Sequence, residues 1–420
     1  MAGEIQLRQT LARPYLPATQ APQVAYVLIE MIPTMATANI QMPVNVAFVL
    51  DHSGSMRGNK LRATKTAVNL ALDRLSDDDT VSIVLFNHET VVLAPTQPAA
   101  GRESIKRLVN GIRDEGGTKI ARAMAAGLGE LTRGPAGAIK RLVLLTDGET
   151  DKDERECVAL ADQAATQGVP ITALGVGNEW NDRLLTDISS RSHGEVEHLR
   201  KPEQIEDNFQ AVVQQAQGAV FQNSNATLRL VSGVQARAAW QVVPMIKNLG
   251  YKPLEDRAVT IPLEQLEKDN RRVLLVELMV EPKPAGQYRI GQFEVDYDVP
   301  QLGIRGQKER IDLVIQVTTD QTLTRQVNPQ VMNIVEKVSA FKLQTRALDD
   351  IEAGNVAGAT QKLQNAVTRL LNTGEAELAQ TVQKEVQNLE QQGQLSTEGQ
   401  KTIRFGSRKT VRLSDLDVPK

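Results

Sequence analysis

Five residues with oxygen-bearing side chains stand where this chain could do chemistry: Asp51, Ser53 and Ser55 in the run Asp51-His52-Ser53-Gly54-Ser55, Thr118 after the pair Gly116-Gly117, and Asp147 in Thr146-Asp147-Gly148. All five offer hard donors. Magnesium takes near-octahedral oxygen ligands at about 2.0–2.1 Å and keeps several of its waters, so a partial shell of fixed oxygens suits it, and manganese is served by the same donors. Alternate residues of a tight loop can face one way, which lets Asp51, Ser53 and Ser55 share a point while Gly54 relieves crowding. Taken alone, an Asp followed by Ser and Gly is commonly a turn or a helix cap. What sets this set apart is that three separated fragments carry it.

Those fragments need elements that bring them to one place. Residues 45–50 and 139–145 are short apolar runs of the kind that become strands buried on both faces. One ends at Asp51 and the other runs into Thr146-Asp147. Thr118 opens a helical pattern marked by Ile120, Met124, Leu128 and Leu131. In an open α/β sheet ligands collect outside the carboxyl ends of the strands, so loops leaving such ends face a common crevice.

In residue type and order, the five positions resemble the metal-ion-dependent adhesion site of the von Willebrand factor A family, over roughly residues 44–215. The resemblance implies a doubly wound, mostly parallel, Rossmann-like sheet. It also implies a Mg²⁺ or Mn²⁺ ion held by Asp51, Ser53, Ser55, Thr118 and Asp147, with one coordination position kept for an Asp or Glu of a partner protein. On that footing the site recognises rather than catalyses.

Composition narrows the remaining classes. The 420 residues carry a net charge of −3 and 41% hydrophobic residues, which is ample for two or three cored domains and gives no field to draw nucleic acid or an anionic membrane. Aromatics at 3% leave little for base stacking. The single cysteine, Cys157, rules out an internal disulfide and fits a reducing compartment. With no signal-like start and no run of 18 apolar residues, the expected location is cytoplasmic.

Patterning divides the chain into five stretches. Residues 1–43, broken by Pro14, Pro17, Pro22 and Pro33, read as an irregular lead containing one outlying strand at 24–31 that joins a later β domain. Residues 44–217 alternate strand and helix, with an antiparallel edge strand near 90–93 and a closing helix at 202–217. Residues 218–325 switch to period 2: Phe293, Val295, Tyr297 and Val299 alternate with Gln292, Glu294, Asp296 and Asp298, as expected of an antiparallel β-sandwich. Residues 326–392 carry three apolar stripes (Ile334, Val338, Phe341, Leu348, Ile351; Ala359, Leu363, Ala366, Leu370; Leu378, Val382, Val386, Leu389), which predict a small helical bundle. Residues 393–420 lose that periodicity and read as a flexible basic tail. There Arg408 and Lys409 precede Thr410, the expected phosphorylation site for a Ser/Thr kinase and a ligand for a phosphothreonine reader.

The function expected from these features is metal-dependent protein binding by a non-enzymatic scaffold or adaptor in a bacterial signalling or assembly system. An adaptor for a MoxR- or chelatase-type ATPase shares the same site chemistry and is the alternative. Metal-dependent hydrolysis has less to stand on. A haloacid-dehalogenase-type phosphatase carries D-x-D where this chain has Ser53, and only the loop residues His52 and His88 offer a base near the rim. There is no glycine-rich phosphate loop of either common kind.

Overall fold

The apolar run before Asp51 becomes the centre of a sheet in the computed structural model, which describes residues 3–150, 152–253, 257–412 and 415. The chain divides into two compact units, one of residues 41–219 and one made of both flanks, 1–40 and 220–420. Among the described residues no helix is long and apolar enough to cross a membrane.

The flanking unit contributes the first three strands, β1 (Ile5–Leu11), β2 (Tyr15–Pro17) and β3 (Gln23–Pro33). The α/β unit follows with β4 (Val44–Asp51), α1 (Asn59–Arg74), β5 (Thr80–Phe86), β6 (Thr90–Pro98), α2 (Arg102–Asn110), α3 (Ile120–Thr132) and β7 (Ile139–Thr146). It closes with α4 (Glu154–Thr166), β8 (Ile171–Val176), α5 (Asp182–Arg191), β9 (Val196–Leu199) and α6 (Gln204–Gly218). Its sheet has the order β6-β5-β4-β7-β8-β9, parallel except for the edge strand β6. Every residue of β4 is buried, because helices cover both faces of a parallel sheet. Helix α3 lies so close that a Cβ on Gly127 would come within 2.7 Å of the Val49 side chain. After β4 the chain first builds β5 and β6 on one side, then returns to build β7, β8 and β9 on the other. The loops that leave β4 and β7 therefore diverge, and the topological switch point falls between Asp51 and Asp147.

The flanking unit resumes with β10 (Ala219–Leu230), β11 (Val234–Val243), β12 (Lys247–Asn248), β13 (Lys252–Pro253), β14 (Ala258–Glu267), β15 (Arg272–Val280), β16 (Gly286–Val299) and β17 (Ile304–Thr318). These strands form a five-stranded sheet, β1-β3-β15-β11-β12, and a six-stranded sheet, β13-β14-β10-β16-β17-β2. The β1–β3, β3–β15, β15–β11, β11–β12, β13–β14, β10–β16 and β16–β17 pairs are antiparallel, and β17 and β2 run parallel. The period-2 reading of β16 holds: Phe293, Val295, Tyr297 and Val299 are all buried. Glu294 is buried too, on the opposite face of the strand, where Arg310 (2.5 Å) and Lys308 (3.2 Å) pair with it.

Two expectations need correction here. The N-terminal lead supplies three strands rather than one, and β3 is interior, paired with both β1 and β15, rather than outlying. Strand β1 was hard to read because only Ile5 of its seven residues is buried. The second correction concerns residues 393–420. After α7 (Gln321–Thr324), α8 (Pro329–Glu352), α9 (Val356–Asn372) and α10 (Ala376–Gln392) comes a further helix, α11 (Thr397–Phe405), and then a 3₁₀ turn at Gly406–Lys409. Gly354 (φ 78°) and Gly374 (φ 82°) supply the left-handed turns between α8, α9 and α10.

This last stretch is packed rather than loose. Ile403 joins the core of the helical layer and Val411 joins the core formed by α8 and the five-stranded sheet. Burying a side chain of that size contributes roughly 1.5–3 kcal/mol, so two such anchors outweigh the polar composition. The buried Glu385 fixes the helix start, accepting from Ser396 N–H and from the Ser396 hydroxyl, each at 2.8 Å. Thr410 is only 4% exposed; its hydroxyl donates to the Ser407 carbonyl (2.9 Å) and its own carbonyl accepts from Lys337 (2.6 Å). A kinase cannot reach a hydroxyl so placed, and the expected phosphorylation of Thr410 is withdrawn. Of the expected tail, residues 413, 414 and 416–420 lie outside the described residues.

Candidate functional site

The carboxylate of Asp51 ends β4 fully buried, and the chain around it spends two donors on it. The Ser53 N–H donates to Oδ1 (2.8 Å), and the hydroxyl of Thr146, the last residue of the neighbouring strand β7, donates to Oδ2 (2.7 Å). Burial pushes the carboxyl above its ordinary range, the negative Asp147 nearby adds to the rise, and these hydrogen bonds work against it. Asp147 is buried as well. Its Oδ1 accepts from the Ser55 hydroxyl at 2.7 Å, and the Ser55 and Ser53 hydroxyls lie 3.0 Å apart. Thr118 arrives from the third loop: a Cβ built on Gly148 would sit 3.5 Å from its hydroxyl oxygen and 4.0 Å from that of Ser55. The structure thus gathers Asp51, Ser53, Ser55, Thr118 and Asp147 at one end of the sheet.

Backbone bonds tie the Asp51 loop, the Thr118 loop and the end of β5 together. Gly54 N–H donates to the Gly116 carbonyl (3.0 Å), Glu115 N–H to the His52 carbonyl (2.8 Å), and Lys119 N–H to the Asn87 carbonyl (2.7 Å). Gly116 has φ 79°, and a side chain there would strike His88, whose Nδ1 lies 2.3 Å from the Cβ position. Glycine is therefore required twice over at this turn. His88 packs against the Thr118 loop, and His52 Nδ1 lies 2.9 Å from the Arg113 carbonyl. The imidazole of His52 is thus oriented by backbone through Nδ1, and that contact does not involve Nε2.

Several contributors were missed in the sequence. Thr146 and Asn87, whose amide donates to the Glu115 carbonyl at 2.9 Å, orient the donors from neighbouring strand ends. Thr150 and Asp153 stand just before α4, yet their side chains serve α3: Ile120 N–H donates to the Thr150 hydroxyl (3.1 Å) and Ala121 N–H to Asp153 Oδ2 (2.9 Å). They tie the helix that begins beside Thr118 to the loop that carries Asp147, satisfying donors the helix itself cannot. Lys60 is the least expected. Its ammonium reaches back from the first turn of α1 to Asp147 Oδ2 at 2.5 Å. Nothing in its sequence setting distinguishes it from an ordinary surface lysine.

The donor set fits a small hard cation. It is entirely oxygen, it contains two carboxylates, and it already seats the cationic head of Lys60, which stands in for positive charge there. Among the described residues no three His, Cys, Asp or Glu side chains gather as a metal cage. An ion at this edge would therefore depend on the hydroxyls of Ser53, Ser55 and Thr118 and on water, besides Asp51 and Asp147.

Comparison with known proteins agrees with the division of the chain. Residues 45–215 match the model for the von Willebrand factor type A domain, and residues 329–413 match that for the Sll0103-like, C-terminal alpha-helical domain. The second match runs through α11 and ends just past Thr410. A protein of Synechocystis sp. named "Uncharacterized protein sll0103" is 28% identical over 331 residues, spanning 78% of each chain. The inter-alpha-trypsin inhibitor heavy chain H3 of Rattus norvegicus is 30% identical over 166 residues, which are 36% of this chain and 19% of that protein. Among solved structures, a von Willebrand factor type A protein from Catenulispora acidiphila superposes with TM-score 0.77 at 20% identity, covering 97% of this chain and 98% of that one. The ArnB paralog VWA2 from Sulfolobus acidocaldarius gives TM-score 0.55 at 17% identity, covering 97% and 99%.

Proposed function

Residues 45–215 being a von Willebrand factor type A domain, a family of protein-interaction modules, we propose that this one binds its partner through a divalent ion and an acidic side chain. The observation that carries the reading is the makeup of the gathered donors, three neutral hydroxyls against two carboxylates at the switch point of the sheet. Asp51 and Asp147 would hold Mg²⁺ or Mn²⁺ with Ser53, Ser55 and Thr118. When bound, the ion supplies residual positive charge to which an external Asp or Glu is attracted. The residues of this chain position it: Thr146 and Ser53 N–H aim Asp51, Ser55 aims Asp147, and the Thr150–Asp153 pair fixes the start of α3.

Nothing in this arrangement calls for catalysis, since the Ser53 and Ser55 hydroxyls hydrogen-bond to each other and to Asp147 rather than to a histidine relay. We read the protein as a scaffold or adaptor. The test immobilises the full chain, captures partners in Mn²⁺, and elutes with chelator while circular dichroism follows the fold. The expected result is release of a partner from a still folded protein, and no capture by Asp51→Ala. Capture that persists in chelator and in that variant overturns the reading.

A further inference from the structure

Beside the metal edge, between α1, the end of α2 and the loop 111–114, lies a cleft of about 600 Å³. Its floor includes the buried Leu61 and Ile112, and its charged lining is lopsided. Three cationic side chains reach it, Arg62, Lys65 and Arg113, against one carboxylate, Asp114. That carboxylate is already engaged, since Arg57 from outside the lining donates to it at 2.9 Å. The cations are less fully matched, although Lys65 stabilises the Asp114 carboxylate at longer range. Lys65 donates to the Asn110 carbonyl (3.0 Å) and Arg62 to the side-chain carbonyl of Asn59, both neutral acceptors, and among the described residues no carboxylate forms an ion pair with Arg62, Lys65 or Arg113.

The cleft is also anchored to the site. Gly58, which lines it, follows Ser55 by three residues in the chain. The carbonyl of Arg113 is held by His52, the neighbour of Asp51, at 2.9 Å. A segment that places one carboxylate at the metal edge would, on continuing by a few residues at about 3.3 Å each, meet these cations next.

We propose that this cleft takes further acidic residues of the same partner segment, so that recognition is two-point: one carboxylate at the metal, and others paired with Arg62, Lys65 and Arg113. The inference rests on the metal-dependent reading above and names the partner's chemistry, an acidic peptide segment rather than a lone Asp or Glu. Excess positive charge beside the ion also steers such a segment toward it, with a dependence on salt that a bare metal contact would not show.

The test uses the full chain and two fluorescein-labelled peptides, Gly-Glu-Asp-Glu-Glu-Gly and Gly-Gln-Asp-Gln-Gln-Gly, followed by anisotropy in Mn²⁺ and in chelator. In Mn²⁺ the glutamate peptide should bind about tenfold more tightly than its glutamine counterpart, the size expected of a few solvent-exposed ion pairs together. The double variant Arg62→Glu with Lys65→Glu should lose that preference while binding Mn²⁺ no more weakly than the wild type. Arg113→Glu, on a different element, repeats the measurement should the double variant misfold. A preference that survives both variants overturns the cleft while leaving the metal reading intact. Glutamate-peptide binding that persists in chelator yet needs Arg62 and Lys65 supports the cleft and overturns the metal reading. Displacement of the peptide by a thymidine oligonucleotide of equal charge overturns the assignment to an acidic peptide.

Discussion

Two clusters of buried charge, one at the edge of the α/β sheet and one in the helical layer, each set two carboxylates against one ammonium but share it differently. In the helical layer the lone cation Lys337, 4% exposed, is answered by Asp415 at 2.8 Å, Glu375 at 3.3 Å and the Thr410 carbonyl at 2.6 Å. At the sheet edge two buried carboxylates, Asp51 and Asp147, are answered by one ammonium, and it touches only Asp147. In the first cluster both carboxylates reach the cation. In the second, among the described residues, Asp51 forms no ion pair, and the hydroxyls around it are neutral. Buried polarity marks a binding site where a carboxylate is left without a cation, and a structural lock where each carboxylate has one.

The largest expected effect breaks the lock. Lys337→Ala leaves two carboxylates facing an unpaired carbonyl, and removing one partner of a buried ion pair costs about 3–5 kcal/mol. Chemical denaturation of the flanking unit should show a loss of that order. A loss under about 1 kcal/mol would place Lys337 among ordinary surface contacts.

At the sheet edge the equivalent change should spare the fold. Asp51→Ala or Asp147→Ala removes one of only two anionic ligands, and Mn²⁺ affinity by calorimetry should fall at least about a hundredfold, while the melting temperature in chelator changes little. Unchanged affinity in both variants would remove the site assignment.

Acid sharpens the comparison further. Burial of Asp415 opposes its ionisation, but the Arg412 N–H and the Lys337 ammonium outweigh that and hold its carboxyl below the ordinary 3.8. Its folded value is depressed, so its contribution is fully present above about pH 4 and is lost as the pH falls through the depressed value. The melting-temperature gap between the wild type and Asp415→Asn should therefore stay constant above pH 4 and close below it. A gap that opens on acidification would reverse the sign and refute the pairing.

The smallest effect concerns Lys60. Its side chain is 28% exposed and its ammonium competes for an oxygen that an ion would use, so Lys60→Gln should tighten Mn²⁺ binding by a few-fold, more so at low salt. Weaker binding would instead make Lys60 a support for Asp147.

The amino-acid sequence alone determined the alternation of strand and helix in residues 44–217, the five donors, and the period-2 strands of the flanking unit. Each of these is local: an apolar run of six or seven residues, a short polar loop, or an alternation reads the same in any context. The gathering of three loops was legible too, because strands buried on both faces end at predictable places. What the tertiary structure decided depends on partners far along the chain. Asp153 sits where a residue caps its own helix and caps another instead. Lys60 looks like surface and lies on Asp147. Residues 397–411 have the composition of a tail, yet Ile403, Thr410 and Val411 are buried against elements that begin as far back as residue 329 and, for the strand holding Leu28, residue 23. A short segment with one or two apolar anchors has no periodicity to announce it; only the surface it meets determines whether it is a tail or part of the core.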